Sequence, residues 1–325
     1  MSRLHQKVEQ MWWSDDQPSI LLRAAGHIYN VVNRCNLNNR KSNAVSPSLP
    51  MISVGNITAG GSGKTPFVIW LATALKNNGF KPVILCRGDG GKGGKPELLA
   101  DNSDPKQVGD EAVLLHQKSG CPVISGHDRI HAAQRAESYG DIIILDDGFQ
   151  YRQLERVCDI VLIPAEGVGN GHLIPAGPLR EPVDALNRVD LIVRTGQSSE
   201  INPLSDNREW RWWCSNSQPE QLVGPDSETP DRAVALTAIA RPERFLHSLE
   251  KTGIDIVESY TFPDHHLFSN SDIQQALQHH EPVIVTAKDA VKLQHIWPED
   301  RPLWVLNQTP EAENGLLEAI LKQLS

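Results

Sequence analysis

Apolar and polar positions follow different periods along this chain, and the changes of period divide it. Asp15-Asp16-Gln17-Pro18 offers cap candidates and a helix-starting proline, and residues 19–35 then keep a helical period. Arg23, His27, Asn30 and Arg34 recur every three or four positions as one polar stripe, with Ile20, Leu21, Ala24, Ile28, Val31 and Val32 covering the remainder. The predicted helix is amphipathic, and two destinations fit it. It can dock on the protein's own core. Alternatively, with Trp12-Trp13 before it and Arg40-Lys41 after it, it can lie at a membrane interface. Residues 36–50, rich in Asn, Ser and Pro, read as a linker.

From Met51 the texture changes to short apolar runs alternating with helical segments. Strands are expected at 51–54, 83–86, 123–124, 142–145, 160–163 and 191–193. Helices are expected at 65–76, 110–117, 129–138 and 182–187, the first of them stopped by Asn77-Asn78-Gly79. Alternation at this pitch predicts an α/β fold built on a mostly parallel, doubly wound sheet. Residues 197–232 are polar apart from Trp210, Trp212 and Trp213, whose spacing suggests a hinge strand or a strand at a domain junction. A second, smaller α/β lobe follows, with strands near 234–236, 254–260, 283–286 and 303–306. The expected organisation is an N-terminal helix and linker (1–50), a first α/β domain (51–196), a hinge region (197–232) and a C-terminal lobe (233–325). The terminal helix packs on that lobe or returns to the first domain.

Composition narrows the function classes. The net charge of −9 disfavours a sequence-blind nucleic-acid binder, which needs a basic face. Residues 1–50 nevertheless carry six Lys/Arg against three Asp/Glu, whereas the rest carry 25 against 37. A basic end on an acidic body can orient a protein at an anionic surface. No run approaches the ~18 apolar residues of a membrane span, and no secretory signal is visible. The five cysteines include no paired C-x-x-C, which suits reduced thiols and argues against structural zinc.

The strongest chemical signal is Thr58-Ala59-Gly60-Gly61-Ser62-Gly63-Lys64-Thr65, set between a strand and a helix. Small residues let successive backbone N–H groups face phosphates, Lys64 can reach the β- and γ-phosphates, and the Thr65 hydroxyl can hold Mg2+. The fold expectation is therefore P-loop NTPase-like, with ATP as the nucleotide. Thr58 departs from the strict pattern, which places glycine there. A second signal is the strand 142–145 ending in Asp146-Asp147, where acids at a strand's carboxyl end meet the metal. Gly109-Asp110-Glu111 places two acids at a helix start, where they can cap the helix or deprotonate an attacking hydroxyl. Asp264-His265-His266 can tune a catalytic carboxylate, zinc binding being the weaker alternative. The glycine-rich run 87–94 reads as a mobile loop near the nucleotide or the substrate.

Together these segments resemble the lipid A 4′-kinases (tetraacyldisaccharide 4′-kinases). The resemblance rests on Ser53-Val54-Gly55-Asn56 into Gly61-Ser62-Gly63-Lys64-Thr65-Pro66, Val108-Gly109-Asp110-Glu111 and Leu145-Asp146-Asp147-Gly148-Phe149-Gln150. It continues through the block 169–182, which includes Gly177-Pro178-Leu179-Arg180-Glu181-Pro182, then through Phe262-Pro263-Asp264-His265-His266 and residues 285–292. The resemblance implies transfer of the γ-phosphoryl of ATP to the 4′-hydroxyl of a tetraacyldisaccharide 1-phosphate, with Mg2+. It places the enzyme peripherally at the cytoplasmic face of the bacterial inner membrane, with residues 12–41 docked on the bilayer. It also implies two lobes with the nucleotide in their cleft.

By that resemblance Lys64 and Thr65 serve the phosphates and magnesium, Asp110 is the catalytic base, and a histidine of the Asp264-His265-His266 segment is its partner, His265 being favoured over His266 because it directly follows the acid. Glu111 and Asp146 lie near the metal, and Asp147, Gln150, Arg180 and His266 lie near the reacting groups or substrate. No obligate protein partner and no nucleic acid are implied. Asp89, Tyr151, Ala240-Arg241 and Ala287 depart from the family's usual residues. The alternative from another class is a P-loop ATPase switch acting on a protein partner. A GTPase is disfavoured, because Arg194-Thr195-Gly196 does not supply the Asn-Lys-x-Asp that reads guanine.

Overall fold

The computed structural model describes residues 3–14, 17–89, 91, 95–196, 203–204 and 209–324. Helices α1 (Arg3–Trp12) and α2 (Ile20–Ser42) precede β1 (Met51–Asn56) and α3 (Lys64–Asn77). The chain continues through β2 (Pro82–Cys86), β3 (Glu97–Leu98), α4 (Pro105–Val108), α5 (Asp110–Ser119) and β4 (Val123–Ser125). Next come α6 (Arg129–Ala136), β5 (Ile142–Asp146), β6 (Cys158–Pro164), β7 (Leu191–Thr195), β8 (Glu209–Asn216) and β9 (Glu220–Val223). The remainder is β10 (Arg232–Thr237), α7 (Pro242–Glu250), β11 (Asp255–Thr261), α8 (Asn270–Ala276), β12 (Val283–Thr286), α9 (Ala287–Leu293), β13 (Leu303–Leu306), β14 (Gln308–Ala312) and α10 (Leu316–Leu321).

Unbroken apolar runs become strands covered on both faces: every residue of β1, β2, β5 and β7 is buried. They belong to a nine-stranded sheet ordered β14-β8-β7-β6-β1-β5-β2-β4-β3, parallel except at its two edges. A second sheet, β11-β10-β12-β13-β9, is parallel apart from β9. β1 lies between β5 and β6, so the loop after it opens beside the Asp146 end of β5. Ligands bind in such a crevice at the carboxyl ends of parallel strands. On one face of the large sheet, Phe67 and Leu71 of α3 join Trp212 of β8 in the core.

Two boundaries differ from the sequence expectation, and one open alternative is decided. The linker expected at 36–50 is helical to Ser42, because Leu37 is buried and anchors a turn whose asparagines alone favour a helix poorly. The expected hinge at 197–232 contributes β8 to the large sheet and β9 to the small one, and Trp212 is core. The chain's end leaves the second sheet: β14 pairs with β8, and Leu316 and Ile320 of α10 pack into the core under α3. Part of the 197–232 segment, and part of the glycine-rich run 87–94, lie outside the described residues.

The second sheet is pinned to its helix α9 by a buried acid. Asp289 is fully enclosed and accepts from Thr237 Oγ1 (2.8 Å), Thr286 Oγ1 (2.7 Å) and the backbone N–H of Ala238 (3.1 Å). Lys292 Nζ lies 2.8 Å from its other oxygen. Asp289→Ala should cost about 3–5 kcal/mol of stability, since it strands a buried ammonium and several donors. Urea unfolding should show this as a lowered midpoint; a loss under about 1 kcal/mol would contradict the expectation.

Candidate active site

The loop from Thr58 to Gly63 is shaped by glycine where the backbone must turn left. Gly60 has φ 98° and Gly63 φ 79°, conformations that L side chains rarely adopt. Thr58 pairs instead with Leu179 in an isolated antiparallel bridge, so extended backbone suffices there and no glycine is required. The same segment holds the loop's entry: Ala59 N–H donates to Pro178 O (2.7 Å), and Arg180 N–H to Ile57 O (2.7 Å). Inside the loop, Asn56 Nδ2 donates to Ser62 Oγ at 3.0 Å. Gly55 admits close packing, since a Cβ there would stand 2.5 Å from that of Phe149.

Lys64 Nζ lies 3.3 Å from Asp147 Oδ1, and Arg180 Nη1 lies 3.4 Å from Oδ2. Arg129 Nη1 donates to the Asp147 carbonyl at 3.0 Å. Burial alone raises the Asp147 carboxyl, but Lys64, Arg180 and Arg129 together hold it well below the usual carboxylate range. Asp146 moves the other way. Burial, then the charge of Glu111, pushes it up to about 7. Gln150 Nε2 donates to Asn56 O (2.9 Å) and to Glu181 Oε1 (3.2 Å), and Arg152 and Arg188 each reach Glu181 Oε2 at 2.7 Å.

A second cluster forms where α5, carrying Asp110 and Glu111, packs on α9 of the second sheet. His265 Nδ1 lies 3.0 Å from Asp110 Oδ1, which also accepts from the Glu111 N–H at 2.9 Å. Asp110 Oδ2 is buried and has no hydrogen-bond partner among the described residues. Lys288 Nζ reaches Glu111 Oε1 and Asp264 Oδ1, both at 3.1 Å, and Lys292 Nζ stands 3.8 Å from Asp110 Oδ2. The hydrogen bond that the His265 ring donates to Asp110 raises His265. Burial alone raises Asp110, but His265 and Lys288 hold it below its ordinary value. Asp147 (φ 48°) and His265 (φ 60°) are the two non-glycine residues with positive φ among those described, and such strain gathers at functional positions.

His266 is not brought to this cluster. Its ring stacks on Phe262 at 4.6 Å, and Nε2 faces Asp272 at 3.0 Å. Sequence reasoning assigned no role to Lys288, Lys292 or Arg129. The two lysines lie four apart on one short helix, which the spacing displays, but what they face depends on the packing of two sheets.

No group of three His, Cys, Asp or Glu side chains converges as a ready-made metal site among the described residues. Mg2+ needs less: it keeps waters, takes substrate phosphate oxygens and uses one or two protein carboxylates. Asp146, crowded by Glu111 and held up to about 7, with the Thr65 hydroxyl opening α3, fits such a hard cation.

Helix α2 is wired to the same site through its polar and small residues. Tyr29 Oη and Asn33 Nδ2 donate to the Arg180 carbonyl at 3.2 and 2.9 Å. A Cβ on Gly26 would sit 3.2 Å from Leu173 O. The outward side exposes aliphatic residues, with Leu21, Ile28, Val31 and Val32 83, 67, 65 and 57 % exposed, together with the basic Arg23 and Arg34.

Comparisons with known proteins agree on one family. The family model described as tetraacyldisaccharide-1-P 4′-kinase matches residues 18–325. The tetraacyldisaccharide 4′-kinase of Halorhodospira halophila is 38% identical over 307 residues, 92% of this chain and 91% of that protein. That of Methylobacillus flagellatus is 35% identical over 325 residues, 98% and 96% of the two chains. In three dimensions the chain is similar to the crystal structure of LpxK from Aquifex aeolicus in complex with ATP. The TM-score is 0.77 at 27% identity, covering 94% of this chain and 98% of that one.

Proposed function

The chain belongs to the tetraacyldisaccharide-1-P 4′-kinase family, and on that premise we propose how its own residues carry out the reaction. It is a phosphotransferase with an alcohol acceptor, moving the γ-phosphoryl group of ATP to the 4′-hydroxyl of tetraacyldisaccharide 1-phosphate in lipid A assembly. The observation that carries the site assignment is the buried Asp110 Oδ2, which lacks a hydrogen-bond partner among the described residues, beside His265 and next to Glu111, whose charge acts on Asp146.

Backbone N–H groups of residues 58–65 and the N-terminus of α3 receive the ATP phosphates. Lys64 turns from Asp147 to the β- and γ-phosphates, and Arg180 steadies Asp147 near the reacting centre. Asp110 Oδ2 accepts the 4′-hydroxyl proton as the new O–P bond forms. The bond from the γ-phosphorus to its bridging oxygen breaks, and ADP leaves with that electron pair. His265 and Lys288 keep Asp110 ionised, and the negative charge of an arriving phosphate works in the opposite sense, raising its basicity. Glu111, Asp146 and Thr65 would hold Mg2+, which when bound offsets the charge of the phosphate oxygens. Gln150 orients the sugar near Arg180, while His266 supports the His265 segment from behind.

Acceptor dependence tests this reading against the ATPase-switch alternative. ADP release should rise at least about 100-fold when tetraacyldisaccharide 1-phosphate in mixed micelles is added to enzyme and ATP. Turnover indifferent to the lipid would overturn the reading.

The exposed aliphatic and basic residues of α2 support peripheral docking on the cytoplasmic face of the inner membrane, through residues 12–41. No described helix is long and apolar enough to cross a membrane. Because α2 is tied to Arg180, point changes probe docking better than deletion. Ile28→Asp with Val32→Asp should lower partition into phosphatidylethanolamine/phosphatidylglycerol vesicles more than tenfold, leaving the KM for ATP unchanged. Unchanged partition would sink the docking proposal.

A further inference from the structure

One charged group at the mouth of the phosphate loop has no place in the mechanism above. Arg241 ends the segment after β10 and precedes Pro242 at the start of α7, so the second sheet supplies it. Its guanidinium lies over the Trp13 ring, 4.3 Å from Cζ to the centroid, and only 11 % of the side chain is exposed. Its Nη2 lies 3.8 Å from the point where a Cβ on Gly60 would stand, over the crown of the loop. Its Nη1 is 3.0 Å from Glu166 Oε1, on the loop that follows β6. Arg244, one turn further along α7, takes the same Glu166 carboxylate and also donates to Gly61 O at 3.4 Å.

Two guanidiniums thus share one carboxylate beside a loop built for phosphates, with Glu243 the next acid in reach of Arg241. Burial, then the charge of Arg244, works against a charged Arg241, so its environment suits a further anion. A glycine at position 60 leaves room above the loop for a planar group to reach over it.

We propose that Arg241 is a catalytic residue: a guanidinium delivered by the second sheet onto the γ-phosphoryl oxygens of ATP, with Glu166 holding its place until nucleotide arrives. The charge it meets grows on those oxygens as the phosphoryl group transfers, so its effect falls on the transition state. Trp13 keeps the guanidinium plane fixed, and Arg244 clamps the loop's outer edge. Lysine cannot replace it, because an ammonium neither stacks in the same way nor presents a planar fork.

This inference rests on the kinase reading, and the test separates the two. The parent enzyme must first label the lipid; failure there removes the reading itself. Given transfer by the parent, Arg241→Ala should lose at least about 100-fold in kcat, with affinity for Mg2+-ADP within about threefold of the parent. Affinity for ADP with Mg2+ and aluminium fluoride, a mimic of the transferring phosphoryl group, should fall by a factor comparable to the loss in kcat. Added guanidinium ion should restore part of the rate, and Arg241→Lys should stay below a tenth of the parent. If Arg241→Ala fails to fold, Arg241→Lys measured in the same way decides. Undiminished binding of the aluminium fluoride complex would overturn the proposal. So would an equal loss in Glu166→Gln, which would make the ion pair between the two sheets the feature that matters.

Discussion

Lys64→Ala is expected to lower kcat/KM for phosphoryl transfer by about 100- to 1000-fold. In the proposed mechanism this ammonium serves the β- and γ-phosphates from the first residue of α3. Its removal also leaves Asp147 with Arg180 at 3.4 Å and Arg129 on its carbonyl as its remaining cationic neighbours. That carboxylate, now less neutralised, faces the incoming phosphates and repels them. The variant should therefore show a raised KM for ATP as well as a lower kcat. Steady-state kinetics at saturating lipid separates the two, and an unaltered kcat/KM would show that the loop works without its lysine.

Asp110→Ala should lower kcat by about 100- to 10 000-fold, the usual range for removing a general base, with little change in the KM for ATP. A readout independent of turnover comes from its partner. The Asp110 hydrogen bond is the largest influence raising His265, while burial and Lys288 pull it down. Without the carboxylate, burial and Lys288 still pull down against Asp264 alone, and the His265 midpoint should fall. In the parent, His265 stays protonated to higher pH than a free histidine and loses its proton as pH rises through the raised midpoint. Titration of the ring protons by NMR checks the sign, and a midpoint that does not move would separate the two residues.

Much of this site is legible in the chain because the large sheet is local in sequence. Strand, loop and helix at 51–77 are contiguous, and the acids at 146–147 close a strand of five apolar or acidic residues. The buried strands betray themselves by apolar runs that a parallel sheet demands. What spacing conceals is whatever depends on packing the second sheet against the first. Lys288 meets Glu111 across 177 positions and Arg244 meets Glu166 across 78, distances at which no period survives. Helix α2 shows a subtler failure. Its period shows an amphipathic helix but not which side docks, because Gly26, Tyr29 and Asn33 dock by small size and hydrogen bonds, with Leu37 the one large apolar side chain buried. The last helix was ambiguous for a related reason: only the pairing of β14 with β8 carries it back to the large sheet.

The central claim is tested most directly by following label from γ-labelled ATP into tetraacyldisaccharide 1-phosphate in mixed detergent micelles with Mg2+. Parent, Lys64→Ala and Asp110→Ala enzymes would be compared. The account predicts label on the 4′-position of the lipid in the parent and a sharp loss in both variants. Transfer that survived Asp110→Ala would keep the activity and move the base to Asp147. ATP hydrolysed by the parent with no label on the lipid would contradict the account.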